Sequence, residues 1–302
     1  MPNLKINVAG VEWNNPVTTA SGTFGFGEEY GQYFDLSALG AVCVKALSAV
    51  PRLGNPSPRI AETPMGVLNS VGLQNPGVEY FKENYLAKLR TYDTKIIANL
   101  CGSSIDDYIK AADMLGDCVD MLELNISCPN VKVGGMAFGT DPRSTEEITT
   151  AVKKVAKVPL IVKLSPNVTD VCEIAKAAEA GGADALSLIN TLLGMKIDIH
   201  TRKPVLKNNT GGLSGPAIKP VAVRMVSQVY HAVKLPLIGM GGISNGEDAI
   251  EFMLAGATAV AVGTAGFVNP YAWVDTVRGI EKYLVDNKIE NVTDIVGQAD
   301  LY

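Results

Sequence analysis

Histidine is almost absent. His200 and His231 are the only two in 302 residues and lie far apart, which leaves little material for a Ser-His-Asp triad or a histidine-rich metal site. The five cysteines, at positions 43, 101, 118, 128 and 172, are odd in number and form no CxxC or CxxH pair. That argues against a disulfide framework and against a zinc or iron–sulfur site within the chain, so reduced thiols are expected. Charged residues make up only 19%, without a long basic run. The balance of 26 Lys+Arg against 31 Asp+Glu gives a formal charge of -5, which disfavours nucleic acid or an anionic membrane as partner. No 18-residue apolar stretch occurs, and Met1 to Val8 lacks the apolar run of a signal peptide, so a soluble, cytoplasmic protein is expected. No GxGxxG follows a strand: GTFGFG and GMGGIS have the wrong spacing. A Rossmann-type dinucleotide site is therefore not indicated, and any nicotinamide would bind elsewhere or on another subunit.

What the chain does contain is apolar material for a large core, 47% of residues, with 30 Gly and 16 Pro. Eight short β-rich runs recur: 17–21, 41–46, 95–100, 121–126, 160–164, 185–189, 237–240 and 259–262, each followed by a segment of helical character. Most are continuously apolar, as strands of a parallel sheet buried on both faces should be. Helix starts are visible at Ser144 with Glu147, spaced as a capping box, and at Asn245 before GEDAIEFMLAG, which closes on Gly256. The alternation predicts an α/β fold, a (β/α)8 TIM barrel in one domain spanning 1–302, with an open doubly wound sheet as the alternative. LKINVAGVEW reads as an N-terminal β-hairpin around Ala9-Gly10. Residues 47–75, 129–143 and 191–214 read as long loops on the active face, after strands 2, 4 and 6.

Polar or small residues stand where strands meet those loops: Ser21, Lys45, Asn99, Asn125, Lys163 and Asn190. In a barrel such positions converge on one mouth. A lysine inside an apolar run is costly unless paired, so each either meets a ligand or pairs with a core carboxylate such as Glu123. Gly241-Gly242 after strand 7 and Gly263-Thr264 after strand 8 occupy the places where barrels commonly bind phosphate on backbone N–H groups. Cys128, in LELNISCPN just past strand 4, has the pKa range for proton transfer near neutrality, roughly 8.5 unperturbed. The other four cysteines read as small buried hydrophobes, Trp13 and Trp273 as packing residues, and the histidines as loop and helix-surface residues.

Together ASGTFG (20–25), VKALS (44–48), NSVGLQN (69–75), NISCPN (125–130), VKLSPN (162–167), GMGGI and VGTA resemble the class 1 dihydroorotate dehydrogenases, over residues 4 to 300. The resemblance implies an FMN-dependent barrel, one FMN per chain, that oxidises (S)-dihydroorotate to orotate in pyrimidine biosynthesis. Cys128 would be the catalytic base, with hydride passing to flavin N5. Ser21, Lys45, Ala46, Asn99, Asn125, Lys163, Ile189, Gly215, Gly241, Gly242, Gly263 and Thr264 would hold FMN. Lys45, Asn69, Ser70, Val71, Gly72, Leu73, Asn125, Asn190 and Thr191 would meet the substrate. CPNVKVGGMAFG looks like the NAD-linked type B subgroup more than the fumarate-using type A. Type B implies a homodimer of this chain with two electron-transfer subunits that carry FAD and a [2Fe-2S] cluster. No metal site on this chain is implied.

Overall fold

A computed structural model describes residues 1–127 and 138–302. Eight parallel strands form one sheet: β1 (Val17–Thr19), β2 (Ala41–Leu47), β3 (Lys95–Leu100), β4 (Met121–Asn125), β5 (Leu160–Lys163), β6 (Ala185–Leu188), β7 (Leu237–Met240) and β8 (Ala259–Val262). Their order runs β1-β8-β7-β6-β5-β4-β3-β2, so the last strand pairs with the first, Val260 opposite Val17. Apolar side chains cover both faces because one looks into the barrel and the other onto the surrounding helices. That is why β5 to β8 are buried at every residue.

The remaining seam, β1 against β2, closes through few bonds. Gly40 N–H donates to the Val17 carbonyl (3.0 Å), and the buried Thr19 hydroxyl serves both main-chain groups of Cys43. It accepts from the Cys43 N–H and donates to the Cys43 carbonyl, each at 2.9 Å. Thr19→Val keeps the shape and removes both bonds, leaving two buried main-chain groups unpaired. We expect a loss of about 2 kcal/mol, read as a lowered urea midpoint with unchanged m; an unchanged midpoint would show that the seam does not depend on the hydroxyl.

Helices α1 (Ile105–Leu115), α2 (Pro142–Lys153), α3 (Val171–Ala180), α4 (Lys219–Ala232), α5 (Gly246–Leu254) and α6 (Ala272–Asp286) follow β3 to β8. After β2 comes a helical stretch, Val78–Phe81 and Ala87–Leu89, with a wider π turn, Lys82–Leu86, between them. After β1 the expected helical segment is replaced by two 3₁₀ turns, Tyr30–Gln32 and Leu36–Ala38. The reason is local: Gly22, Gly25 and Gly27 all adopt positive φ, which breaks a helix. Phe24 instead stacks on Tyr30, ring centroids 4.6 Å apart, with the edge of Trp273 at 4.8 Å.

The capping pattern at Ser144 is corrected. The helix begins three residues earlier, with Asp141 as cap and Pro142 in the first turn; Ser144 donates both its N–H and its hydroxyl to Asp141, each at 2.8 Å. Asn245 does cap α5, accepting from the Asp248 N–H, and Gly256 follows its end at φ 118°. The hairpin Ile6–Val8 with Val11–Trp13 turns at Ala9-Gly10, both at positive φ as a type I′ turn requires.

The largest surprise lies in the loops. Residues 47–75 contain strands Ile60–Thr63 and Gly66–Asn69, and residues 191–214 contain Leu192–Met195 and Thr210–Ser214. All four join in one antiparallel sheet, Ser214 opposite Val67 and Leu192 opposite Leu213. Cys43 and Cys101 are buried as expected, but Cys118 and Cys172 are half-buried. Trp13 and Trp273 are fully buried, and both histidines are exposed. Among the described residues no helix is long and apolar enough to cross a membrane.

Candidate active site

A cavity of about 260 Å³ opens at the carboxyl ends of the strands. The added four-stranded sheet forms one wall, through Ile60, Val67, Asn69, Gly212 and Ser214. Of the residues expected to hold a cofactor, Ser21, Lys45, Ala46, Asn125, Lys163, Ile189, Gly215, Gly241, Gly242, Gly263 and Thr264 line it. So do Asn69, Ser70, Val71, Gly72, Leu73, Asn190 and Thr191 from the substrate group. Asn99 does not reach the cavity surface: it is fully buried beneath it. Cys128 lies outside the described residues.

The two lysines stand in different surroundings. Lys45, near the end of β2, makes no ion pair among the described residues; burial and the nearby Arg59 guanidinium pull its ammonium below the usual lysine range. Lys163 closes β5 at only 4% exposure, with Nζ 3.7 Å from Glu123 Oε2. The pairing with Glu123 weighed from sequence is thus present, together with a place on the cavity wall.

Asparagines fix the opposite side. Asn190 donates to Asn125 Oδ1 (3.3 Å) and takes the Thr191 N–H on its own Oδ1 (2.7 Å), while Asn167 donates to the Thr191 carbonyl (3.0 Å). The Tyr108 hydroxyl donates to the Asn125 carbonyl at 2.7 Å, tying the end of β4 to α1. Past β7, Gly242 sits at φ 89°, and a Cβ there would come within 2.9 Å of Lys219 N and 3.0 Å of the Gly215 carbonyl. Glycine is therefore required where the loop after β7 meets the start of α4. Thr264, after β8, donates to Ser214 Oγ at 2.8 Å, joining the glycine-bearing end to the sheet wall.

Further residues contribute to the site beyond those the motifs point to. Ser127, Ser214 and Gln74 line the cavity without having been singled out, and Ser127 donates to the Lys163 carbonyl (2.9 Å). Ser187 was visible as a polar residue inside the apolar run ALSLI; it donates to Glu123 Oε1 at 3.0 Å. Chemically, the cavity offers cationic and amide groups on its floor and sides and exposed glycine backbone at one end. That suits a planar polar ring carrying a phosphate tail.

The family model for dihydroorotate dehydrogenase matches residues 3–284. The chain belongs to the dihydroorotate dehydrogenase family. Curated relatives agree over nearly the whole length. The "Dihydroorotate dehydrogenase B (NAD(+)), catalytic subunit" of Alkaliphilus metalliredigens is 64% identical over 296 residues, 98% of either chain. The protein of the same name from Desulforamulus reducens is 56% identical over 301 residues, 99% of either chain, and that of Caldicellulosiruptor bescii 53% over 299 residues. As a member of the dihydroorotate dehydrogenase family, the chain has its cavity at the carboxyl end of the barrel strands, where barrel enzymes place their chemistry.

Proposed function

We propose that residues 1–302 form a single FMN-binding barrel domain, the catalytic subunit of a cytoplasmic, NAD-linked dihydroorotate dehydrogenase that oxidises (S)-dihydroorotate to orotate. The observation that carries this reading is the convergence of Lys45, Lys163, Asn125, Asn190 and both glycine pairs on one cavity in a chain of this family. The residues fit the cofactor: among the described residues Ser70 Oγ is buried on the wall without a hydrogen-bond partner and Lys45 is half-buried without a carboxylate, so both suit a polar ligand. FMN, when bound, supplies a two-electron acceptor.

The chain's own groups do the rest. Gly241, Gly242, Gly263 and Thr264 would take the phosphate on backbone N–H groups, and Ser21, Ala46, Ile189 and Gly215 would border the ring system, with Asn99 beneath. Lys45, Asn69 to Leu73, Asn125, Asn190 and Thr191 would hold the planar, carboxylated pyrimidine by paired donors and acceptors, with Lys45 offering its charge to the carboxylate. Cys128 would accept the proton from the carbon beside the ring carbonyl while hydride departs from the neighbouring carbon, so the single bond between them becomes double. Lys163 would stabilise negative charge that builds at the cavity floor. Electrons would pass to NAD through a partner, and the relatives' name, catalytic subunit, supports one. We assign FAD and a [2Fe-2S] cluster to that partner, and a homodimer of this chain with two such subunits to the assembly.

The test is the visible spectrum of the purified chain before and after anaerobic addition of dihydroorotate. Flavin bands that bleach are expected. Bands that persist would overturn the substrate, and a colourless protein that FMN does not reconstitute would overturn the flavin site.

A further inference from the structure

Glu123 lies in the middle of β4, 3% exposed, and has no role in the mechanism above. Its neighbours show where it points. Asn99 Nδ2 on β3 donates to Oε2 at 2.8 Å, Ser187 Oγ on β6 donates to Oε1 at 3.0 Å, the Cys43 thiol on β2 lies 3.5 Å from Oε2, and Lys163 Nζ on β5 lies 3.7 Å from it. β4 pairs only with β3 and β5, so one side chain meets β2 and β6 as well only across the barrel interior. Every one of these neighbours is a donor; burial pushes the Cys43 thiol well above its ordinary range, which keeps it as S–H.

A carboxylate in a barrel core is costly, and an apolar residue would pack there at least as stably. What the carboxylate adds is control of two neighbouring groups, Asn99 in its own layer and Lys163 toward the cavity. Lys163 lines the cavity and finds its counter-charge in Glu123. Asn99 has its NH₂ end committed to Glu123, which fixes which way the amide faces, and its Oδ1 is buried without a partner among the described residues. An unpaired buried acceptor held in a set direction beneath a ligand cavity points to a ligand N–H or an ordered water.

We propose that Glu123 is a positioning residue, a single interior carboxylate that holds the Lys163 ammonium and the Asn99 amide in the orientation the cofactor requires. The inference rests on the FMN reading above. It makes the charge of Glu123, and not only its bulk, a determinant of cofactor affinity and potential.

The experiment compares wild type, Glu123→Gln and Glu123→Asp as full-length chains. Two quantities are read: the FMN dissociation constant of the stripped protein and the flavin midpoint potential of the reloaded one. Glu123→Gln keeps the shape but leaves Lys163 uncountered and frees the Asn99 amide. FMN affinity should fall on the order of tenfold, about 1.4 kcal/mol. The midpoint potential should move positive, because an uncountered ammonium favours the electron-rich reduced form. Glu123→Asp, with its charge kept but withdrawn by one methylene, should fall between the two. Wild-type affinity and potential in Glu123→Gln would overturn the proposal, and so would equal changes in both variants, which would mark a packing effect. Should Glu123→Gln fail to fold, Glu123→Asp alone decides: a partial shift upholds the proposal and wild-type values overturn it. The wild-type chain separates the two readings. If it binds FMN and is bleached by dihydroorotate, only the role of Glu123 is at stake; if it binds no FMN, the function and this inference fall together.

Discussion

Lys163→Met is expected to lower the unfolding free energy by about 3 kcal/mol and to abolish FMN retention. Methionine fills the space of the stem but carries no charge, and the carboxylate of Glu123, only 3% exposed, then has no ion-pair partner among the described residues. Removing one partner of a buried pair is far costlier than replacing both, typically ~3–5 kcal/mol. Asn99, Ser187 and Cys43 still donate to Glu123, which places the loss toward the lower end. Denaturant unfolding of the stripped chain and the flavin content of the purified one measure both effects. Lys45→Met is the contrast: this lysine has no ion pair among the described residues, so the same substitution should cost activity with a much smaller loss of stability. Similar destabilisation by the two would deny the Glu123 pairing its energetic weight.

Cys128→Ala is expected to leave flavin content unchanged and to cut turnover by about 10²–10⁴-fold, the usual contribution of a positioned general base. Anaerobic mixing with dihydroorotate isolates the step, since bleaching of the flavin should slow by the same factor. Cys128→Ser should retain a fraction of the rate that grows with pH, because a hydroxyl gives up its proton far less readily than a thiol. Turnover within twofold of wild type in the alanine variant would remove the base assignment.

The barrel was legible because its signal is local. Most strands are continuous apolar runs, and β3, β7 and β8 begin and end where the runs do, at Lys95–Leu100, Leu237–Met240 and Ala259–Val262. The cavity lining was legible for a related reason: polar residues at the ends of such runs have only the mouth to go to. Asn99 shows the limit of that rule. It looks like Asn125 in sequence, yet it belongs to an interior layer with Glu123 and Ser187, and nothing in KIIANL distinguishes the two layers. The four-stranded sheet was invisible for a different reason. GVLN and TGGLS are short and glycine-bearing, and their partners lie 147 residues apart, so no local periodicity announces the pairing. The segment after β1 departs from the helical expectation because Gly22, Gly25 and Gly27 adopt positive φ and leave only two short 3₁₀ turns.

That sheet has a consequence for how the cavity opens. Gly66–Asn69 receives its ladder partly from Ile60–Thr63 and partly from Thr210–Ser214, so neither loop can fray far without stripping the other of hydrogen bonds. The wall should behave as one cooperative unit in hydrogen exchange: amides near Val67 and those near Leu213 should exchange at a common rate, and bound substrate should slow both together.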